Sequence, residues 1–244
     1  MSVQDLAANP ARSTRSKGWP ELDRFVFLSV GLLATGVMVV GFGRSFFYAP
    51  FVPTRDLRTI LQWHAALFTA WVLLFVAQTT LIWTHRPQIH RRMGIFGSVL
   101  AASMVVVGSA TVIDSASRQT LNAGAINLFG SLALLALFAA LVVAGLRHRK
   151  EPALHKRLMA VATLALASAG LGRILPQFHL SVYGETLVSA LYYFGWMGAD
   201  LIVRQRAWRG AVVGALIGVL ITPVGIPLVA RSEWWRDFTG WLLH

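Results

Sequence analysis

Residues 61–84 read LQWHAALFTAWVLLFVAQTTLIWT, and after the short link HRPQIHRR the chain becomes apolar again at 93–113, with MGIFGSVLAASMVVVGSATVI. Each apolar stretch has the roughly 20 residues that an α-helix needs to cross about 30 Å of hydrocarbon. The link between them is too short to form a domain of its own. This part of the sequence therefore predicts two membrane-spanning helices joined by a tight basic turn.

Apolar runs of similar length fill most of the remaining chain. The predicted spans are 24–43, 61–84, 93–113, 124–146, 157–176, 186–203 and 210–230. The composition agrees, since 56% of the residues are hydrophobic and only 13% are charged, whereas about a quarter are charged in soluble domains. The sequence predicts an all-α polytopic membrane helix bundle with about seven transmembrane helices in one domain, at 24–230.

The basic residues predict the orientation of this bundle. Of the 22 Lys and Arg residues, 15 lie in or beside the N-terminal segment 1–23 and the links that would share its side of the membrane, and seven lie on the other side. Short cytoplasmic loops are enriched in Lys and Arg. We therefore expect a cytoplasmic tail at 1–23, an outer interfacial segment at 231–244 and a location in the cell inner (plasma) membrane.

The charge and the cysteine content exclude other classes of protein. The net charge of +12 comes from clusters between apolar stretches, a pattern typical of loops facing a lipid bilayer and not of a nucleic-acid-binding surface. The chain has no cysteine, which excludes disulfides, thiolate metal sites and cysteine nucleophiles. Motifs of intramembrane or soluble hydrolases such as HExxH and GxSxG are absent from the sequence. No catalytic residue is assigned, and whether the protein is an enzyme stays open.

Two of the basic links share a pattern. IHRRM at 89–93 and LHKRL at 154–158 both read apolar, His, basic, basic, apolar, and a His-Arg pair precedes each of them, at 85–86 and 148–149. Both patterns open a helix that would run from the inside to the outside. This correspondence predicts a parallel hairpin repeat, in which helices two and three resemble helices four and five.

The same stretches resemble a family of uncharacterised bacterial multi-pass membrane proteins. The likeness rests on HAALFTAWVLLFVAQTTL from 64, RPQIHRRMG from 86 and HKRLMAVATLALASAGLGRI from 155. It extends weakly through the last two helices and does not include the N-terminal tail. The resemblance implies a bacterial multi-pass membrane protein but no particular activity.

Helix two carries a polar stripe, because His64, Trp71 and Gln78 are spaced by seven residues and share one face. The stripe is interpreted either as the lining of a ligand site for haem or quinone, or as a packing seam between helices. Arg173 lies near the outer end of helix five and would converge with His64 if helices two and five touch. It would then bind a carboxylate, a haem propionate or a lipid phosphate, or else extend to the outer surface.

A second set of polar residues lies at the inner ends of the helices. His90, His155 and Asp200 are expected at similar depth, and two imidazoles with a carboxylate are suitable ligands for zinc or iron. Two cations follow each histidine, which disfavours a metal ion and favours contact with lipid headgroups. Asp200 has a simpler partner in Arg204, four residues further on the same helix.

Three classes of function follow from these residues. The first is a cofactor- or lipophilic-ligand-binding protein of redox type, with haem b or a quinone. For haem, His64 lacks a histidine partner at its depth, because His179 falls in an outer loop. His90 and His155 do match in depth. The second is a small-molecule transporter or carrier that uses the stripe and Arg173. The third is a non-catalytic accessory subunit of a larger membrane complex.

Overall fold

The computed structural model of the protein describes residues 19–43, 46, 58–204 and 209–243, with side chains described outside 19–24, 182 and 199–204. Every regular element in these parts of the chain is helical, which confirms the predicted all-α polytopic bundle. The helices are α1 (Trp19–Phe42), α2 (Thr59–Trp83), α3 (Pro87–Ala116), α4 (Leu121–Arg147), α5 (Pro152–Ile174), α6 (Val182–Arg204), α7 (Arg209–Leu220) and α8 (Glu233–Leu243). A 3₁₀ turn at Leu175–Phe178 extends α5, and a π-helix at Ile221–Ala230 extends α7.

Six of the described helices are long and apolar enough to cross a membrane, namely α1 to α5 and α7 with its π-helix. Helix α6 covers the predicted sixth span, 186–203, but is not one of the six. The side chains of α6 at 199–204 lie outside the described part of the chain, so its described part is shorter than a membrane span. The bundle is therefore that of a multi-pass membrane protein, and a seventh crossing by α6 stays a prediction.

Helix α5 is the central helix, because it packs against α1, α4 and α7 and also contacts α2 and α6. Its sequence is rich in alanine, so neighbouring helices can approach closely. The closest approach is to α1, where a Cβ atom built on Gly41 would lie 2.5 Å from the carbonyl oxygen of Gly170. A Cβ on Gly170 would in turn lie 2.7 Å from the carbonyl oxygen of Val37. Backbone meets backbone at this crossing.

Helices α3 and α5 begin in the same way. Each starts with proline, Pro87 or Pro152, and each has a histidine as its fourth residue, His90 or His155. Proline suits the first position of a helix because its fixed φ angle is already helical and its missing N–H would have no partner there. The shared start places the two histidines at the same depth. The duplication that could account for this similarity stays a prediction.

The last span changes its helical form near its predicted outer end. Pro223 and Pro227 lie in this part of the span, where the structure has a π-helix in which the amide of Arg231 donates to the carbonyl of Ile226 at 3.1 Å. Gly225 lets this wider helix lie against Phe129 of α4, since a Cβ atom would come within 2.8 Å of that ring. The chain then turns into α8.

The orientation can be tested directly because the chain has no cysteine of its own. Gln119, in the link after α3, and Gln88, the second residue of α3, are both exposed and lie at opposite ends of that helix. We expect Gln119→Cys to react in whole cells with a membrane-impermeant maleimide, while Gln88→Cys reacts only after the cells are opened. Labelling of Gln88→Cys in closed cells, with Gln119→Cys protected, would reverse the orientation.

Candidate functional site

The polar stripe of α2 divides into three separate environments. Trp71, in the middle, is 6% exposed and packs its ring edge-to-face on Phe138 of α4 at a centroid distance of 4.9 Å. Its indole N–H donates to the hydroxyl of Thr163 in α5 at 3.2 Å. The polar atom of Trp71 is therefore used between helices, which agrees with the packing interpretation of this residue.

His64 lies in a different environment, at the predicted outer end of α2. Its ring stacks on Phe68 one turn later, with centroids 3.9 Å apart. Its Nδ1 atom is buried and has no hydrogen-bond partner among the described residues. Arg173 lies close enough to interact electrostatically with His64 and places its guanidinium 4.3 Å from the ring centre of Phe42. Helices α2 and α5 are in contact, and Arg173 lies near His64, as was expected for that case.

Gln78, the third member of the stripe, belongs with the inner histidines. The ring of His90 lies close to the backbone of Gln78, and a Cβ atom on Gly94 would lie 3.8 Å from the amide nitrogen of that glutamine. The Oε1 atom of Gln78 and the Nδ1 atom of His90 are both buried, and neither has a hydrogen-bond partner in the part of the chain that the structure describes. An unsatisfied buried polar group costs about 1–3 kcal/mol. A ligand that paired with these atoms would remove that cost.

His90 and His155 face each other at the inner end of the bundle. Their ring centroids are 6.4 Å apart and the ring planes are nearly perpendicular, at 87°. The Nδ1 atom of His155 lies 2.8 Å from the carbonyl oxygen of Gly145 in α4. A carbonyl can only accept, so this nitrogen carries the proton and Nε2 keeps its lone pair. Histidines that bind metals are commonly held by such a bond.

Gly145 makes this arrangement possible. A Cβ atom at Gly145 would lie 2.7 Å from the terminal methyl of Met159 and 3.5 Å from Leu158 Cβ, so α4 and α5 meet closely there. This close approach brings the carbonyl of Gly145 within reach of the His155 ring. The sequence analysis did not select Gly145. In the sequence, the contact of Gly145 with His155 is indicated only by a small residue ten positions before the histidine.

Positive charge surrounds the histidine pair. Arg157 is 2% exposed, and its Nη1 atom donates to the carbonyl of Ala153 at 2.6 Å. Arg91 interacts electrostatically with His90, and Lys156 lies over the ring of Phe27 at 4.6 Å. The sequence analysis counted Arg157 only as an interfacial cation. Its position within an apolar stretch, two residues after His155, was the available signal of burial.

The third proposed metal ligand, Asp200, has a side chain outside the described part of the structure. Among the described residues no group of three or more His, Cys, Asp or Glu side chains is placed to hold a metal ion. Of the three predicted ligands the structure therefore brings His90 and His155 together, and the participation of Asp200 stays a prediction. His179 lies in a left-handed backbone conformation after the 3₁₀ turn, away from the inner pair in sequence and in depth.

The packing role of Trp71 gives a stability prediction. Trp71→Phe keeps an aromatic ring but removes the bond to Thr163, so we expect the free energy of unfolding to fall by about 1 kcal/mol. Thr163→Val removes the same bond, and the double variant should therefore lose less than the sum of the two. Denaturant unfolding in detergent measures this, with the exposed Trp63→Phe as control. Fully additive losses would show that the bond contributes nothing.

Comparison with known proteins adds no assignment. The chain matches no model of a protein family, no curated protein and no solved structure.

Proposed function

We propose that this protein is a redox-type integral membrane protein that holds a haem b between His90 and His155. The observation that carries the proposal is the pair itself. Two imidazoles from different helices face each other at one depth, and the hydrogen bond to Gly145 leaves one of them with a free Nε2 lone pair. Imidazole is a ligand of haem iron, and cofactor sites in helix bundles are built from side chains on facing helices, so His90 and His155 would hold the group.

The separation of the rings supports this ligand set. Metal–nitrogen bonds of about 2.0–2.1 Å to both imidazoles would hold the two ring centroids roughly 5–6.5 Å apart. The centroid distance of 6.4 Å falls within this interval, so His90 and His155 would be able to hold one iron ion between them. A bound haem iron would supply one-electron redox chemistry at this position.

The charges favour an anionic cofactor over a bare metal ion. Arg91, Lys156 and the buried Arg157 would repel a divalent cation placed between the histidines. The same three groups would attract the two carboxylates that haem b carries on its propionate side chains. The first turns of α3 and α5 also present the positive ends of their helix dipoles to this region.

A second lipophilic ligand is suggested by the outer pair, His64 and Arg173. Among the described residues the buried Nδ1 atom of His64 has no partner, Arg173 lies over the ring of Phe42, and Phe68 stacks on the His64 ring. A quinone headgroup combines a flat ring with carbonyl oxygens that accept hydrogen bonds, which suits this combination. We propose the outer pair as the contact for a quinone.

The first experiment is an optical spectrum of the detergent-purified protein, oxidised and then reduced with dithionite, together with elemental analysis. The proposal predicts a Soret band, reduced-minus-oxidised peaks of b type and about one iron per chain. A colourless protein without metal, also after incubation with hemin, would contradict the proposal. A small-molecule carrier or an accessory subunit of a larger membrane complex would then be the remaining interpretations.

The cellular location is part of the same proposal. The charge bias towards one side and the resemblance of 64–81, 86–94 and 155–174 to bacterial multi-pass membrane proteins support a bacterial inner membrane. Fractionation of the producing cells into inner and outer membranes tests this placement. Recovery in the outer membrane would contradict it.

A further inference from the structure

A cavity at the opposite end of the bundle has no role in the proposed redox function. It has a volume of about 290 Å³ and lies where α4 begins and where the π-helix passes into α8. Its lining consists of Asn122, Ile126, Ala230, Arg231 and Arg236. By the predicted orientation this is the outer end of the protein.

The cavity is suited to an anion. Within the described residues, the guanidinium groups of Arg231 and Arg236 take part in no ion pair or hydrogen bond. The acidic residues of α8, Glu233 and Asp237, are exposed and do not line the cavity. Each of these guanidinium groups carries N–H donors in the planar fork that suits phosphate oxygens.

The start of α4 adds to this preference. Asn122 is the second residue of α4, and the residue before the helix, Thr120, makes no side-chain capping bond. The first N–H groups of a helix have no partner within it and carry the positive end of the helix dipole. In α4, a helix of 27 residues, these N–H groups lie at the cavity that Arg231 and Arg236 also line. Phosphate groups bind readily in such positions.

The aromatic residues of α8 favour a lipid headgroup as the source of the phosphate. Trp234, Phe238 and Trp241 follow a helical spacing of four and three residues, and their exposed fractions are 61%, 41% and 77%. On the other side of α8, the indole N–H of Trp235 donates to the carbonyl of Ala125 at 2.9 Å and fixes the helix against α4. An aromatic row directed away from the bundle, beside a basic cavity, is typical of a helix lying in the membrane interface.

We propose that this cavity binds the phosphodiester group of an outer-leaflet phospholipid, with Arg231 and Arg236 on the phosphate oxygens. The aromatic row of α8 lies among the acyl chains of the same leaflet. The bound lipid joins the start of α4 to α8 and so fixes the last helix to the bundle. This site is independent of the histidine pair, and its test does not depend on a cofactor.

The test uses the full chain in dodecyl maltoside with dihexanoylphosphatidylglycerol as the probe. A ligand that binds only the folded protein raises its melting temperature in a concentration-dependent way. We expect the lipid to raise it, and dihexanoylglycerol, which lacks the phosphate, to leave it unchanged. In Arg231→Gln/Arg236→Gln the apparent affinity for the lipid should fall about tenfold or more. Arg118→Gln, which removes another exposed arginine of the same end, should bind normally.

Each alternative has its own result. A stabilisation by inorganic phosphate equal to that by the lipid would identify a site for free anions and overturn the lipid assignment. Unchanged lipid affinity in the double arginine variant would overturn the site altogether. If the double variant does not fold, Asn122→Leu provides the same comparison, because it fills the cavity without removing a charge. Full lipid affinity in Asn122→Leu would also contradict the proposal.

Discussion

Replacing His155 by alanine is expected to remove the haem from the protein. Its Nε2 atom keeps a free lone pair because Nδ1 donates to Gly145, so the variant loses a ligand that is already oriented. Loss of a hydrogen bond to a metal ligand alone typically lowers metal affinity 10–100-fold, and loss of the ligand itself should exceed this. We expect a loss of more than about 100-fold in haem affinity, measured by titrating hemin into the purified apoprotein.

Two further variants make this result specific. His90→Ala should have the same effect, since the proposal places one axial ligand on each side of the iron. His148→Ala is the matched control: it lies seven residues before His155, is exposed and pairs with Glu151 at 2.9 Å. If both His90→Ala and His155→Ala retained haem while His64→Ala lost it, the proposed site would be wrong and the haem would be bound at the outer pair.

The second large effect is expected at the crossing of α1 and α5. Gly170→Val would place side-chain atoms where the carbonyl oxygen of Val37 lies, at 2.7 Å from the first of them. Neither backbone can give way without separating the two helices. Overpacking of a core typically costs 1–3 kcal/mol, and here we expect about 3 kcal/mol or more, since backbone must move. Thermal unfolding in detergent should show a much less stable or unfolded protein.

The same two helices supply controls for this experiment. A Cβ atom on Gly36 of α1 or Gly172 of α5 would meet nothing within 4 Å. We expect Gly36→Ala and Gly172→Ala to leave stability unchanged or to raise it slightly, because alanine favours the helix. If Gly170→Val proved as stable as these two variants, the close crossing described here would be wrong.

Much of the fold could be predicted from the sequence because the bilayer imposes a simple rule on it. A run of about 20 apolar residues must satisfy its backbone internally, so it becomes a helix. Five of the predicted spans coincide with helices α1 to α5, and the last one coincides with α7 and its π-helix. The sixth predicted span, 186–203, falls on α6, whose side chains at 199–204 lie outside the described residues. A crossing of the membrane by α6 therefore remains a prediction.

The arrangement of the helices was less predictable, since lipid and protein are both apolar surroundings. The alanine-rich sequence of α5 fits a central helix, but composition alone does not name its neighbours. For this reason Gln78 was grouped with His64, which shares its face of α2, although it lies beside His90. The convergence of His64 and Arg173 was predicted only on the condition that α2 and α5 touch.

The central position of α5 also determines when the protein can assemble. Helices enter the membrane in the order of the chain, so α1 is inserted long before α5 is synthesised. Until then the glycine surface of α1 around Gly41 has only lipid or α2 beside it, because its backbone contact is with Gly170. Association of inserted helices is a separate step from their insertion. The bundle is therefore completed late in synthesis, and in a chain that stopped after α4 the helices α1, α2 and α4 would lack their contacts with α5.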